Sequence, residues 1–164
     1  MNNMVDSIQY PSQQSLKIDQ ENRLIEEAKR IVYQRTRLQG DCFTSPHAVR
    51  DFLKLQLGTQ QNEVFAVLFL SSQHQLIEYK ELFFGTVDSC SVYPRVVMKE
   101  ALKFNAAAVI LAHNHPSQRL DPSCADRVLT TRIVDALSLV DIKVLDHMIA
   151  SPNELFSFAE HGLI

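Results

Sequence analysis

The sequence predicts a mixed α/β (or α+β) domain, a sheet flanked by helices, and three observations carry that prediction. Residues 63–70 (EVFAVLFL) and 106–112 (AAAVILA) are short, almost wholly apolar runs of the kind that form buried strands. Segments with apolar residues three and four apart alternate with them, as helices packed on such a sheet would. At 164 residues, 46% hydrophobic and 21% charged, the chain has the length and composition of one domain with its own core.

Residues 1–18 are rich in Gln, Ser and Asn around Pro11, which predicts a flexible N-terminal arm. Residues 19–44 then carry a helix and a connection. From Gln20 to about Arg35, Leu24, Ile25, Ala28, Ile31 and Val32 make an apolar stripe opposite Glu26, Glu27, Lys29 and Arg30. Ser45-Pro46 signals a second helix, a serine cap before a proline in the first turn. Val49, Phe52, Leu53 and Leu57 give it a core-facing side, and Gly58 marks its end.

Residues 45–164 hold the rest of the fold. The strand after Glu63 turns at Ser71–Gln75, where His74 reads as a turn residue, into an antiparallel strand over Leu76–Phe84. Tyr93-Pro94 opens a helix, and Ala106–Ala112 is the next buried strand. Asp121-Pro122 starts another helix, to about Leu139, expected to bury Ala125, Leu129, Ile133, Ala136, Leu137 and Val140. A strand over Ile142–Ala150 and a short C-terminal strand or turn close the chain, with His161 at the surface.

The net charge of −3 gives no bulk drive toward phosphate backbones or anionic membranes, which argues against a DNA partner without excluding a local basic patch. Cys42, Cys90 and Cys124 are odd in number and lack CxxC spacing, so they read as free thiols of a reducing compartment, with Cys124 expected inside its helix. No run reaches the roughly 18–20 apolar residues of a membrane span, and the first residues lack a signal peptide's apolar core. The expected location is the cytoplasm.

The chemistry gathers where the Ala106–Ala112 strand ends. His113 and His115 are two residues apart, so strand alternation sends both imidazoles to one side. Asp126, in the following helix, can reach the same point. Two imidazoles and a carboxylate are the ligand set of a catalytic zinc with a fourth position for water. On spacing alone, the histidines also fit polar loop residues and Asp126 a helix-start charge. Ser123 and Asp126 form a capping-box pattern, but Asp121-Pro122 offers a competing cap that would leave both free to face inward. Glu63 is a candidate proton acceptor if its strand lies beside the histidine strand, and otherwise a charge at a strand start. Asp146-His147 could orient a ligand, but a structural role is the favoured reading.

His113-x-His115, seven residues, Ser123, two residues and Asp126 together resemble the JAMM (MPN-plus) metalloprotease motif without a gap. HNHPS at 113–117, Gly85-Thr86-Val87, Pro94-Arg95, NAAAVILA and Leu145-Asp146-His147 look like the RadC branch of that superfamily. The resemblance runs from about Ser45 to the C-terminus. It implies a JAMM/MPN-like, cytidine-deaminase-like sheet with one zinc per chain on His113, His115 and Asp126. It further implies Glu63 as general acid/base and Ser123 as donor to the oxyanion in hydrolysis of a peptide or isopeptide bond. Gln118 stands where the branch usually has glycine, and too few residues precede Ser45 for the helix-hairpin-helix region of longer RadC proteins. The rival expectations are a DNA-repair-associated accessory protein and an inert MPN-type interaction scaffold. A homo-oligomer through a strand edge is also expected to be open to the chain.

Overall fold

A computed structural model describes residues 13–38, 46–85, 91–117 and 119–164. The chain order is α1 (Gln13–Leu38), α2 (Pro46–Leu57), β1 (Val64–Leu70), β2 (Leu76–Phe84), α3 (Pro94–Lys103), β3 (Ala108–Asn114), α4 (Cys124–Ser138), β4 (Lys143–Ala150) and β5 (Leu155–Ser157). All seven residues of β1 and all seven of β3 are buried, as strands covered on both faces must be, and the last two of β3 are the polar His113 and Asn114. The mixed α/β fold is therefore a five-stranded sheet, ordered β2-β1-β3-β4-β5, with helices on either side. Among the described strands, only the β3–β4 pair is parallel, and α4 makes its crossover.

Strand alternation divides the core in two. Val64, Ala66 and Leu68 of β1, with Ile110 and Ala112 of β3, meet Phe52, Leu53 and Leu57 of α2. Phe65, Val67 and Phe69, with Val109 and Leu111, face Val97 and Ala101 of α3 and Ile133 and Leu137 of α4. Burying such side chains is worth about 1.5–3 kcal/mol each, so the sheet sandwich is the dominant stabilising feature. Gly58 closes α2 as expected, its N–H donating to the Lys54 carbonyl at 3.0 Å. A Cβ there would lie 2.6 Å from the Lys54 oxygen and 2.9 Å from Ser151 and Pro152 backbone atoms, so this turn admits no side chain.

Four boundaries and faces differ from the sequence expectation. Helix α1 already begins at Gln13, inside the stretch read as a loose arm, and continues to Leu38. Gln, Lys, Glu and Arg are good helix formers without needing an apolar face, and pairs such as Arg30–Glu27 line its exposed side. Most of its expected stripe faces outward: Leu24 is 71% exposed and Ile25, Ala28 and Ile31 are exposed too, while Val32 alone of the five packs inward, beside the unexpected Lys29 and Tyr33. The buried Lys29 ammonium reaches Glu26 at 3.0 Å.

Strand β3 starts two residues late and ends two late. Asn105 at φ 50° reverses the chain, Ala106 N–H bonds back to Ala101 at 3.0 Å, and the ladder then carries His113 and Asn114. Helix α4 begins at Cys124 with Ser123 as its cap, not at Asp121-Pro122. This later start sets the helical phase. Thr130, Ile133 and Leu137 are buried, whereas Ala125 and Cys124 are exposed, so Cys124 is not the interior thiol the sequence suggested. The Ser45 cap, Cys42, Cys90, Thr86-Val87 and Gln118 lie outside the described residues. Among the described residues, no helix is long and apolar enough to cross a membrane.

Candidate metal centre

The β1–β3 pairing decides what faces what. Phe65 pairs with His113 in an antiparallel register, so both share a face. Two residues back along β1 is Glu63, and two residues on from His113 is His115, so all three polar side chains emerge at one end of that face. Helix α4 lies over it and brings Asp126 down. The strand adjacency that Glu63 needed is present.

His113 Nε2 lies 3.5 Å from Asp126 Oδ1, and His115 Nε2 lies 3.6 Å from Asp126 Oδ2. The two Nε2 atoms are 2.9 Å apart. Ligand atoms at about 2.0–2.1 Å on a tetrahedral ion stand roughly 3.3–3.4 Å from one another. The donor set therefore fits a zinc-sized ion, with a small opening of the two rings. His115 Nδ1 donates to the Arg119 carbonyl at 2.7 Å, a partner that can only accept, so the His115 Nε2 lone pair is left for the metal when the ring is neutral.

The capping reading and the ligand reading of Asp126 are both realised, against the expectation that one would displace the other. Ser123 Oγ accepts from Asp126 N–H at 3.1 Å, and Asp126 Oδ2 accepts from Ser123 N–H at 2.7 Å, a reciprocal capping box. Oδ1 remains directed at His113. Ser123 Oγ–H also donates to Oδ2 at 2.6 Å, so the serine proton is engaged by the carboxylate in this geometry.

The electrostatics follow from unequal burial. Complete burial lowers His113 to about 4, with Asp126 opposing and His115 adding to the shift, which keeps this ring neutral. His115 is raised, chiefly by its hydrogen bond to Asp126. Burial pushes the Asp126 carboxyl up, but the His115 bond, nearby His113 and the Ser123 bonds hold it well below the usual carboxylate range. Glu63 is raised by burial, with His115 opposing and Asp126 reinforcing. A carboxylate so placed can take up a proton near the histidines without being a ligand.

These residues open into a cleft of about 660 Å³ whose walls include Phe65, Val92, Arg119, Ser123 and Leu129. The size suits an extended segment of peptide or a small molecule. His113, His115 and Asp126 are the group of histidines and carboxylates that could hold a metal among the described residues.

One contact was not legible in the sequence, and a second was there only the less favoured of two readings. Asn114, between the two histidines, is buried and accepts from Val64 N–H at 2.8 Å while donating to Asn62 and Gln60 carbonyls at 3.0 and 3.3 Å. His147 lies 2.9 Å from His113 Nδ1, and Thr130 lies 2.6 Å beyond it. The Asp146-His147 pair thus divides, against its joint structural reading. Asp146 accepts from Ser157, Ala159 and the His147 backbone, anchoring the C-terminal segment, while the His147 ring turns to His113. A histidine within an otherwise buried strand was the available signal.

A family model described as the RadC-like JAB domain matches residues 43–163. The chain is similar to a UPF0758 protein of Vibrio cholerae serotype O1, 55% identical over 142 residues covering 87% of this chain and 89% of that protein. UPF0758 protein YkfG of Escherichia coli K12 is 51% identical over 145 residues, 88% of this chain and 92% of its own. A UPF0758 protein of Cellvibrio japonicus is 53% identical over 85% of this chain but only 62% of its own length.

Proposed function

The chain belongs to the RadC family of JAB-domain proteins, and on that premise we propose that it is a zinc-dependent metallopeptidase hydrolysing a peptide or isopeptide bond. The observation that carries this reading is the joint placement of His113, His115 and Asp126 within ligand distance of one another, with Glu63 beside them and not among them.

His113, His115 and Asp126 would hold the zinc. When bound, the ion supplies Lewis acidity, lowering the pKa of a water to about 7 and polarising a substrate carbonyl. Glu63 would take up a water proton on its carboxylate and pass it to the departing amine, a task its raised pKa favours. Ser123 donates its hydroxyl to the developing oxyanion once the proton now given to Asp126 Oδ2 is released. Phe65, Val92 and Leu129 give the cleft an apolar wall against which a peptide segment can exclude water. The substrate is a peptide or protein, and the reducing cytoplasm is its setting.

The test is zinc content of protein purified without chelators or a histidine tag, alongside peptide hydrolysis by wild type and Glu63→Gln. About one zinc per chain with hydrolysis abolished in Glu63→Gln is the expected result. A wild type that takes up no zinc after reconstitution sinks the reading. A DNA-associated accessory role and an inert scaffold are the rivals; neither calls for the Glu63 placement.

A further inference from the structure

We propose that Thr130 and His147 are positioning residues of the metal centre: a one-directional hydrogen-bond chain that locks His113 as the tautomer carrying its proton on Nδ1, with the Nε2 lone pair facing the site. The inference rests on the metal-site reading above and concerns groups outside the ligand set.

The direction of every bond in the chain is forced from its far end. Thr130 Oγ1 lies 2.6 Å from the Asp126 backbone carbonyl and 2.6 Å from His147 Nδ1. The carbonyl can only accept, so the single hydroxyl proton goes to it. Turned toward His147 instead, the hydroxyl would leave two oxygen lone pairs facing each other at that separation. Thr130 must then accept from His147, which places a proton on His147 Nδ1. The His147 ring is fully buried, with Phe158 stacked at 4.7 Å and Phe65 edge-on at 5.6 Å, and a second proton there would put a charge among apolar walls. Its Nε2 is therefore bare and accepts from His113 Nδ1–H at 2.9 Å. His113 Nε2, directed at Asp126 Oδ1, is left as the free ligand atom.

The fold builds this chain deliberately into the helix–sheet contact. Val109 pairs with Val144 but Ile110 pairs with Asp146, so β4 carries an extra residue at Leu145. That irregularity turns His147 to the His113 face, the re-aiming role such features serve beside sites. Thr130 is four residues after Asp126 on α4, and its back-bond to the Asp126 carbonyl closes a loop. Helix α4 thus supplies one ligand directly and orients another through two intermediaries. Partners of this kind on metal-bound imidazoles are typically worth about 10–100-fold in metal affinity.

The test compares wild type, Thr130→Val and Thr130→Ser. Valine keeps the shape and removes the acceptor; serine restores the hydroxyl. Thr130→Ala, which adds no bulk, is the second variant if valine perturbs folding. Ring ¹⁵N spectra of the metal-free proteins report the tautomers of His113 and His147, and chelator competition reports zinc affinity. The expected result is Nδ1–H on both rings in wild type and Thr130→Ser. Thr130→Val should show mixed tautomers and about 10–100-fold weaker zinc binding, with serine recovering most of it. His113 protonated on Nε2 in the metal-free wild type overturns the inference. So does a zinc-binding wild type whose affinity and tautomers are unchanged in Thr130→Val and Thr130→Ala. A wild type that binds no zinc refutes the metal reading itself, and the positioning role with it, whatever the tautomers.

Discussion

Asn114 brackets Glu63. Its side-chain oxygen takes the N–H of Val64, immediately after the glutamate, and its side-chain nitrogen gives to the carbonyl of Asn62, immediately before it. The residue between the two histidines therefore helps hold the segment carrying Glu63, the proposed proton acceptor, in place beside His113 and His115. Asn114→Ala should retain zinc but lose most hydrolysis, because Glu63 is no longer held. Leaving a buried N–H and two carbonyls unpaired should also cost about 1–3 kcal/mol per unsatisfied group, read by thermal unfolding. Wild-type turnover in a folded, zinc-bound Asn114→Ala would contradict the assignment.

Glu63→Gln should keep about one zinc per chain and reduce hydrolysis by roughly 10²–10⁴-fold, the usual worth of a positioned acid/base. Steady-state rates on a peptide that wild type cleaves, with metal content measured on the same sample, check this. His113→Ala should lose both properties.

The two roles of Ser123 can be separated. Ser123→Ala removes the cap acceptor and should cost about 0.5–2 kcal/mol of stability, while Ser123→Gly should cost only a few tenths. Both remove the hydroxyl from the cleft and should slow turnover alike. A glycine variant with wild-type turnover would show that Ser123 only caps α4.

Metal affinity should depend on pH through one histidine. His115 is raised above its ordinary value and is protonated below that raised value, so a metal must displace its proton there. His113, lowered to about 4, is already neutral across the mildly acidic range. Affinity should be full above the His115 value and fall as pH drops through it, with the logarithm of affinity changing by about one per pH unit. Chelator-buffered titrations read the slope; a slope near two would mean both rings are protonated.

Gly58→Ala should be destabilising by about 1–3 kcal/mol, since the new Cβ would meet the Lys54 and Ser151 backbone oxygens. Denaturant midpoints check it, and zinc affinity in the folded fraction should be unaffected.

The sequence revealed the parts that obey local rules. The two apolar strands, the Tyr93-Pro94 helix start and the Gly58 stop depend on neighbours in the chain, and the structure has each of them. The His113, His115 and Asp126 grouping was legible because strand alternation and one following helix nearly determine it. The contact of His147 with His113 was open only as the less favoured reading, because it depends on a displaced register with β3 that leaves no mark in spacing. Asn114 looked like a filler between histidines, since its three partners lie about fifty residues earlier. The face of α1 was misread because a long surface helix with charged pairs need not bury its most apolar side.

The extra residue in β4 has a consequence for anyone reshaping this chain. If the ladder ran on regularly with Leu145 paired to Ile110, Asp146 would come opposite Leu111 and His147 would pass to the other face, sending a carboxylate toward His113. No ligand would have been touched, yet the imidazole that meets His113 would be gone. In this strand, register is a stricter requirement than lettering: point changes at exposed Lys143 should be tolerated, while a one-residue slip of the His147 segment against β3 should silence the site from a distance.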